Sequence, residues 1–538
     1  MTRISPPETA STDVIVVGAG FAGLYMHHRL REMGLSAVGI EAADDVGGTW
    51  WWNRYPGARC DIRSLDYSYS FDAELEQEWE WSEKYATQPE ILNYANHVAD
   101  RFDLRQDIRF NTKMTTAHWD ERSSRWTIET DQGDQWTSQF LVMAVGALSA
   151  AKQPEIDGIA SFAGEIYHTA QWPHRGVDFT GKRVAVIGTG SSGIQCIPLL
   201  AQQAEHLTVF QRTPNFAVPA QNGPIDPDVV AALKRRYRDH RAEQRLSHGG
   251  VVGPAPEQSA HEVEPDERTR RFDAIWDEGM LFGFLGCFND VMIDPSANAI
   301  VSDYLRDRIR SIVTDPVTAE MLCPKSYPVG AKRLCLDTDY FATFNRPNVS
   351  LVDLHATPIT RLVETGIETT AETHDFDAIV FATGFDAMTG PLLGPEIIGR
   401  EHQSLREAWN EGPRTYLGIM THGFPNMFMI TAPGSPSVMT NMLVSIEQHV
   451  EWSTDAIAWM NQHEVVEIDP DLDAQDSWVD HVNEIANFTL MPKGNSWYLG
   501  ANVPGKPRVF MPYIGGVGPY RQICDGVASD NYRGFTFR

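Results

Sequence analysis

The chain has 538 residues, 42% of them apolar and 22% charged, with 72 acidic side chains against 44 basic ones and a formal net charge of −28. That length predicts several domains with ample interior, and the composition is that of a globular protein rather than a disordered or fibrous one. A field this negative excludes nucleic acid and acidic lipid surfaces as expected partners, and by the same reasoning it should repel phosphate-bearing cofactors.

Six cysteines (Cys60, Cys196, Cys287, Cys323, Cys335 and Cys524) are scattered with no Cys-x-x-Cys pair. Neither a zinc site nor a disulfide framework is expected, no metal is assigned, and a reduced chain fits. Residues 1–12 are polar and hold two prolines, unlike a signal peptide, and no apolar run approaches the ~20 residues of a membrane span. A soluble, cytoplasmic protein is expected.

In chain order, Asp13–Val17 is a short β-branched run that reads as a buried parallel strand. It leads into Gly18-Ala-Gly20-Phe21-Ala-Gly23 and then a helical pattern from Leu24 to Met33. The strand–turn–helix context makes this Gly-x-Gly-x-x-Gly specific. Glycine permits the tight turn and close backbone approach that let a pyrophosphate sit on the helix amino terminus. The next strand, Ala37–Ile40, ends at Glu41, 21 residues after Gly20, where a carboxylate accepts from a ribose diol and repels a 2′-phosphate. Phe140–Gly146 is an apolar strand ending in small residues.

A second copy runs from Arg183–Ile187 through Gly188-Thr189-Gly190-Ser191-Ser192-Gly193 into a helical pattern, Ile194–Gln203, that includes Gln195. Its next strand, Leu207–Phe210, ends in Gln211-Arg212-Thr213 with no carboxylate, and Arg212 is a forked cation suited to a 2′-phosphate. The two copies are read as an FAD site followed by an NADPH site. From about 223 to 327 the pattern breaks. Ala231–Arg238 and Val301–Ile309 look helical around the Gly/Pro-rich stretch Gly249–Pro256, which predicts a helical insertion. The basic run Lys234–Arg245 reads as a solvated helix face with no role assigned. Phe376–Gly384 is again an apolar strand ending in small residues.

The predicted fold class is α/β, with two Rossmann-like dinucleotide-binding domains and the helical insertion. The expected order is a first part of the FAD domain (1–150), a first part of the NADP domain (151–222), the insertion (223–327), and second parts of the NADP (328–385) and FAD (386–538) domains.

Between the two copies lies Phe162-Ala-Gly164-Glu-Ile-Tyr-His168-Thr-Ala-Gln-Trp172-Pro173. It resembles the fingerprint of type I Baeyer–Villiger monooxygenases, Phe-x-Gly-x-x-x-His-x-x-x-Trp followed by Pro or Asp, and it stands just before the second glycine motif as in that family. Related flavoproteins that oxygenate nitrogen or sulfur usually end the motif in Phe or Tyr, so Trp172 favours the Baeyer–Villiger branch. His168 is read as a structural histidine that supports coupling between domains, not as a catalyst.

Gly47-Gly48-Thr49-Trp50-Trp-Trp-Asn-Arg-Tyr55-Pro-Gly57-Ala-Arg-Cys60-Asp61 also resembles the family's pattern. The resemblance implies walls around a flavin, with Gly48, Thr49, Trp50, Tyr67, Met114 and Met442 among the FAD contacts and Asp61 beside the isoalloxazine with a cationic partner. In Lys332-Arg333 it implies a phosphate ligand followed by the catalytic arginine. In Asn495–Lys506 it implies that Trp497 donates its indole N–H to the nicotinamide nucleotide. Thr189, Gly190, Ser191, Ser192, Gly193, Gln195, Arg212 and Thr213 complete the implied NADP site. Pro433–Leu443 resembles the subgroup acting on aromatic and steroid ketones, so Ser437, Val438 and Met439 are expected to shape the ketone pocket. The resemblance runs from about Asp13 to Phe537, nearly the whole chain.

The activity so implied takes O2 and a small to medium ketone (aromatic, cyclic or steroid) to an ester or lactone through a C4a-peroxyflavin, with NADPH as reductant. Arg333 would keep the peroxide deprotonated and stabilise charge on the adduct, and Asp61 would orient Arg333. A monomer or weak homo-oligomer is expected. The alternative is a flavin-containing N- or S-oxygenase, which shares both nucleotide folds. A disulfide reductase needs a cysteine pair near the flavin, and a catalytically dead sensor would show damage in a motif; neither is found.

Overall fold

The computed structural model describes residues 10–253 and 255–538; residues 1–9, most of the polar segment that argues against a signal peptide, lie outside them. Strands β1 (Ala10–Val17), β2 (Ala37–Ile40), β3 (Ile108–Arg109), β4 (Met114–Asp120), β5 (Arg125–Thr130) and β6 (Gln135–Met143) build the first sheet. Its order is Glu396–Ile398, β4, β5, β6, β1, β2, β3, and Met427–Met429 adds to β6. β1 runs parallel to both β2 and β6 and buries Val14, Ile15 and Val16 completely, which is why that stretch reads as an uninterrupted apolar run. β6 changes partner along its length: its first half pairs antiparallel with β5, and Leu141–Met143 pairs parallel with Met427–Met429. Helix α1 (Phe21–Glu32) follows the first glycine turn and packs against α8 (Met442–Gln462).

The second sheet holds β7 (Glu165–His168), β8 (Arg183–Ile187), β9 (His206–Gln211), β10 (Val349–Asp353) and β11 (Ala378–Phe381), all parallel, in the order β10, β9, β8, β11, β7. Helix α2 (Ser191–Gln203) follows the second glycine turn.

The two turns share one geometry. Gly18 and Gly188 have φ of +105° and +112°, and a Cβ on either would lie 2.5 Å from the carbonyl oxygen of Ala144 or Ala382. The apolar strands end in small residues because these glycines pack directly on them. A Cβ on Gly23 or Gly193 would lie 1.9 or 2.3 Å from the carbonyl oxygen of Gly18 or Gly188, so each third glycine seats its helix on its own turn. Gly190 differs: a Cβ there meets nothing within 4 Å.

The chain passes between the sheets twice, after β6 and after β11, and the two passages pair. Lys152 N donates to Gly384 O (3.1 Å) and Asp386 N to Ala150 O (2.9 Å), around an antiparallel bridge between Ala151 and Phe385.

The segment after β9 forms helices α3 (Pro227–Lys234), α4 (Tyr237–Leu246), α5 (Pro265–Glu278), α6 (Pro295–Ile312) and α7 (Pro316–Leu322). The helix predicted across Ala231–Arg238 is broken at 235–236, so α3 and α4 are separate. The reading of Lys234–Arg245 as a solvated face is corrected. Tyr237, His240, Arg241 and Gln244 are buried against the first fold. His240 Nε2 lies 2.6 Å from Asp66 Oδ1, while Arg241 donates to Glu76 Oε1 (2.7 Å) and Ser68 Oγ (2.6 Å). Lys234 Nζ reaches the carbonyls of Gln77 (2.7 Å) and Trp79 (2.8 Å). Carboxylates and carbonyls brought in from another fold satisfy a face that looks solvent-seeking in isolation. No helix among the described residues is long and apolar enough to cross a membrane.

The contrast between the two glycines of the second turn is testable. Gly193→Ala forces a backbone shift costing about 1–3 kcal/mol and should lower the thermal midpoint by several degrees, whereas Gly190→Ala should leave it unchanged. Equal midpoints in differential scanning calorimetry would refute the packing role.

Candidate active site

Both glycine turns open into one cavity of about 1510 Å³, larger than the roughly 300–1,000 Å³ of a pocket for one drug-sized ligand. On the first side, α1 begins at Gly20 with no side-chain cap and no acidic residue in its first turn, and Phe21 and Ala22 line the cavity. Its first amides are thus unsatisfied donors at the positive end of a helix, which is the arrangement that binds a phosphate. Gly20 is pressed against Gly48, whose Cα would lie 3.3 Å from an added Cβ. Glu41, at the end of β2, accepts from Ala19 N (2.6 Å) and Ala43 N (2.8 Å). Burial raises its carboxyl above the ordinary range, and these backbone donors pull it back. Gly48, Thr49, Trp50, Tyr67, Met114 and Met442 line the same side, with Trp50 Nε1 donating to the Tyr67 hydroxyl at 3.2 Å.

On the second side, α2 begins at Gly190, again with no cap and no acid in its first turn. Thr189, Gly190, Ser191, Ser192, Gln195, Arg212, Thr213, Lys332 and Trp497 all line the cavity. Gly23 and Gly193 lie behind their turns, out of it. Gln195 is at the wall, but its amide is already committed: Oε1 accepts from Tyr55 (2.8 Å) and Nε2 donates to Arg59 O (3.1 Å). A Cβ on Gly57 would lie 2.3 Å from the Gln195 carbonyl oxygen, so the Trp50–Asp61 segment docks closely on α2.

That docking delivers Asp61 to Arg333, 272 residues away in sequence. Arg333 precedes the short strand Cys335–Asp337, which pairs with Ala217–Pro219. Its Nη2 (2.7 Å) and Nε (3.0 Å) both donate to Asp61 Oδ2, and Nη1 donates to Val438 O at 2.8 Å. Burial alone would lower the guanidinium's pKa. Asp61 and the neighbouring Tyr498 outweigh it, so the group is more firmly protonated than an ordinary arginine. The Tyr498 hydroxyl is itself pushed up to about 12 by burial, against the pull of Arg333.

The fingerprint positions Phe162, Gly164, His168 and Trp172 lie outside the cavity wall, although Ala170 and Gln171 between them line it. His168 Nδ1 accepts from Ala170 N (3.1 Å), which leaves the proton on Nε2 to face Lys152 O (3.1 Å) and Thr383 Oγ1 (3.2 Å). Burial lowers its pKa, keeping the ring neutral. It therefore links the end of β7 to both passages between the sheets. Trp172 packs with Tyr167 and Phe179, and Gly164 leaves room for the Phe162 ring, which a Cβ would approach to 2.5 Å.

Of the three expected pocket residues only Val438 lines the cavity. The assignment of Ser437 and Met439 to the pocket wall is corrected. Ser437 is fully buried and its hydroxyl donates inward to Thr431 O (3.0 Å), while Met439 joins the apolar cluster around Met388 and Phe510. In this one short turn the backbone directs Val438 toward the opening and the other two side chains away from it.

Sequence reasoning missed Lys152, Tyr498, Ser496 and Asn502. All but Tyr498 line the cavity, and Ser496 Oγ and Asn502 Oδ1 are buried polar atoms with no partner there. Adjacency to Trp497 was the available signal for Ser496 and Tyr498.

The profile of the pyridine nucleotide-disulphide oxidoreductase family matches residues 15–251. The two cysteines in that span, Cys60 and Cys196, are both free. A Baeyer-Villiger monooxygenase of Pseudooceanicola batsensis is 44% identical over 529 residues, covering 97% of this chain and 96% of its own. A phenazine N-monooxygenase of Lysobacter antibioticus is 42% identical over 533 residues, with 97% and 96% covered. Among solved structures, an oxidised steroid monooxygenase bound to NADP matches with a TM-score of 0.94 at 52% identity, over 98% of this chain and 99% of that one. Identity at this level across almost the whole of each chain is a family relationship, and the chain belongs to the Baeyer–Villiger monooxygenases.

Proposed function

We propose that the protein is an FAD-dependent monooxygenase that uses NADPH and O2 to insert one oxygen atom beside a ketone carbonyl, giving an ester or lactone, while the other oxygen leaves as water. The observation that carries this reading is Arg333, held by Asp61 in the one cavity that both dinucleotide turns share.

The residues present fit both cofactors. At the first turn, the uncapped amides of α1 suit a pyrophosphate and Glu41 suits a ribose, with Gly48, Thr49, Trp50, Tyr67, Met114 and Met442 around the space for the ring system. At the second, α2 offers the same uncapped start between Thr189 and Ser192, Arg212 and Lys332 suit the additional phosphate of NADPH, and Trp497 carries an indole donor. Bound flavin, once reduced by the nicotinamide, supplies the activation of O2 that no side chain here can provide.

The chain's own residues do the rest. A guanidinium cannot release its proton near neutral pH, so Arg333 offers positive charge and N–H donors to an oxyanion without acidifying it. Asp61 holds two of its nitrogens and Val438 O a third, so the group is oriented before substrate arrives. The carbonyl carbon gains a bond to oxygen and its oxygen becomes anionic, and that charge develops against Arg333. The Trp50–Asp61 segment, packed on α2, and the Asn495–Asn502 turn both line the space in which that charge develops. Ketones of the aromatic, cyclic or steroid classes are the proposed substrates, supported by the similarity to a steroid monooxygenase. Six free cysteines support a reducing, cytoplasmic setting.

The N-oxygenase reading has one observation in its favour, the phenazine N-monooxygenase relative. A nitrogen lone pair attacking oxygen forms no tetrahedral carbonyl adduct, whose oxyanion is the charge that the Asp61–Arg333 pair is placed to meet.

Three outcomes are expected. Mass spectrometry over a panel of ketones and a phenazine under labelled O2 should find one label in an ester; label on nitrogen alone overturns the reading. Arg333→Ala should retain FAD and still consume NADPH while ester formation falls by more than about 10²-fold; near wild-type ester production would remove Arg333 from its role. Arg212→Ala should reduce the preference for NADPH over NADH by about tenfold or more, and an unchanged ratio of kcat/KM values counts against a 2′-phosphate at this position.

A further inference from the structure

Lys152, Arg212 and Lys332 share one wall of the cavity. Among the described residues none of the three is ion-paired with a carboxylate, although the chain carries 72 acidic side chains. The acids that act on Lys152 are Glu155 and, after it, Asp386, neither of them paired with it, and Asp386 is taken by Lys506 at 2.6 Å. Each lysine spends one of its three N–H donors on a backbone carbonyl of the same turn: Lys332 on Asn495 O (3.2 Å) and Lys152 on Asn502 O. Two donors remain on each. Burial, and after it the charge of Arg212, lowers the pKa of both lysines, and at Lys152 the opposing pull of Glu155 and Asp386 is the smaller effect. Three converging cations, none paired with a carboxylate among the described residues, constitute a site for a multiply charged anion.

The backbone of Lys152 is hydrogen-bonded through both its carbonyl and its amide. Its carbonyl accepts from His168 Nε2 (3.1 Å), and its amide donates to Gly384 O (3.1 Å) in the paired passages between the sheets. Arg212 stands at the end of β9, where a dinucleotide fold presents the adenosine ribose. We propose that Lys152 is a third ligand to the 2′-phosphate of NADP(H), and that through the Asn502 carbonyl it fixes the Asn495–Asn502 turn, which carries Trp497, around the bound nucleotide. The inference rests on the NADPH reading above and adds to it a residue from outside both glycine motifs. A dianion among three cations is more strongly selected over a bare ribose hydroxyl than one facing two.

The test is calorimetric titration of the FAD-loaded enzyme with NADP+ and with NAD+, for wild type, Lys152→Gln, Lys152→Arg and Arg212→Ala. Lys152→Gln should weaken NADP+ about tenfold and leave NAD+ unchanged, and Lys152→Arg should restore most of the NADP+ affinity. Amide exchange should show NADP+ protecting residues 495–502 in wild type and failing to do so in Lys152→Gln. Wild-type NADP+ affinity in Lys152→Gln, or an equal loss for NADP+ and NAD+, overturns the assignment; undiminished protection of the turn overturns the coupling. If Arg212→Ala weakens NADP+ while Lys152→Gln does not, Lys152 alone is excluded. If neither variant changes the NADP+/NAD+ ratio, the 2′-phosphate reading falls with it.

Discussion

The ion pair between Asp61 and Arg333 is the constraint around which the cavity is arranged, because its two members arrive from different folds. Asp61 comes on the segment that docks on α2 through Tyr55 and Gly57; Arg333 comes on the loop before Cys335. Both guanidinium bonds fall on the single oxygen Oδ2, so the pair by itself could pivot about that atom. The third bond, to Val438 O, removes the pivot. The side chains are about a fifth and a quarter exposed (19% and 28%), so the pair is not a fully buried one whose desolvation would consume its attraction. What it contributes is direction: a cation aimed into the cavity, with its own anion set to one side.

Around that pair the electrostatics run against the molecule as a whole. A charge of −28 should discourage two phosphate-rich cofactors. The cavity answers with two uncapped helix starts and with Lys152, Arg212 and Lys332, none of them paired with a carboxylate among the described residues. Local placement outweighs the global field because screening confines exposed surface charge to about 10 Å, while enclosed groups are screened less. The acidic exterior then has little influence on what binds inside.

The parts legible in the sequence are those set by neighbouring residues. A β-branched strand, three glycines and a helix identify each turn, and the carboxylate or arginine ending the next strand distinguishes the sides, since all of it lies within about thirty residues. Resemblance drew attention to Asp61 and Arg333, but their mutual geometry depends on how two sheets meet. The same dependence hid the buried face of α4, whose histidine and arginine are satisfied by Asp66, Ser68 and Glu76. It also turned Ser437 inward and committed the Gln195 amide to Tyr55 and Arg59. Lys152 carries no local signal at all: one lysine between alanine and glutamine acquires meaning only from Arg212 and Asn502.

The paired passages between the sheets have a mechanical consequence. Two chain segments hydrogen-bonded antiparallel at Ala150–Lys152 and Gly384–Asp386 form a narrow ribbon, and a ribbon is compliant in one direction only. It bends across its flat face, but shear along its length would break the Lys152–Gly384 and Asp386–Ala150 bonds together. Any relative displacement of the two sheets must spare these bonds or break both, and must also part the Tyr55–Gln195 bond that crosses between the folds. The cavity lies between the two sheets, so the ribbon and that crossing bond together set the register in which its walls face each other.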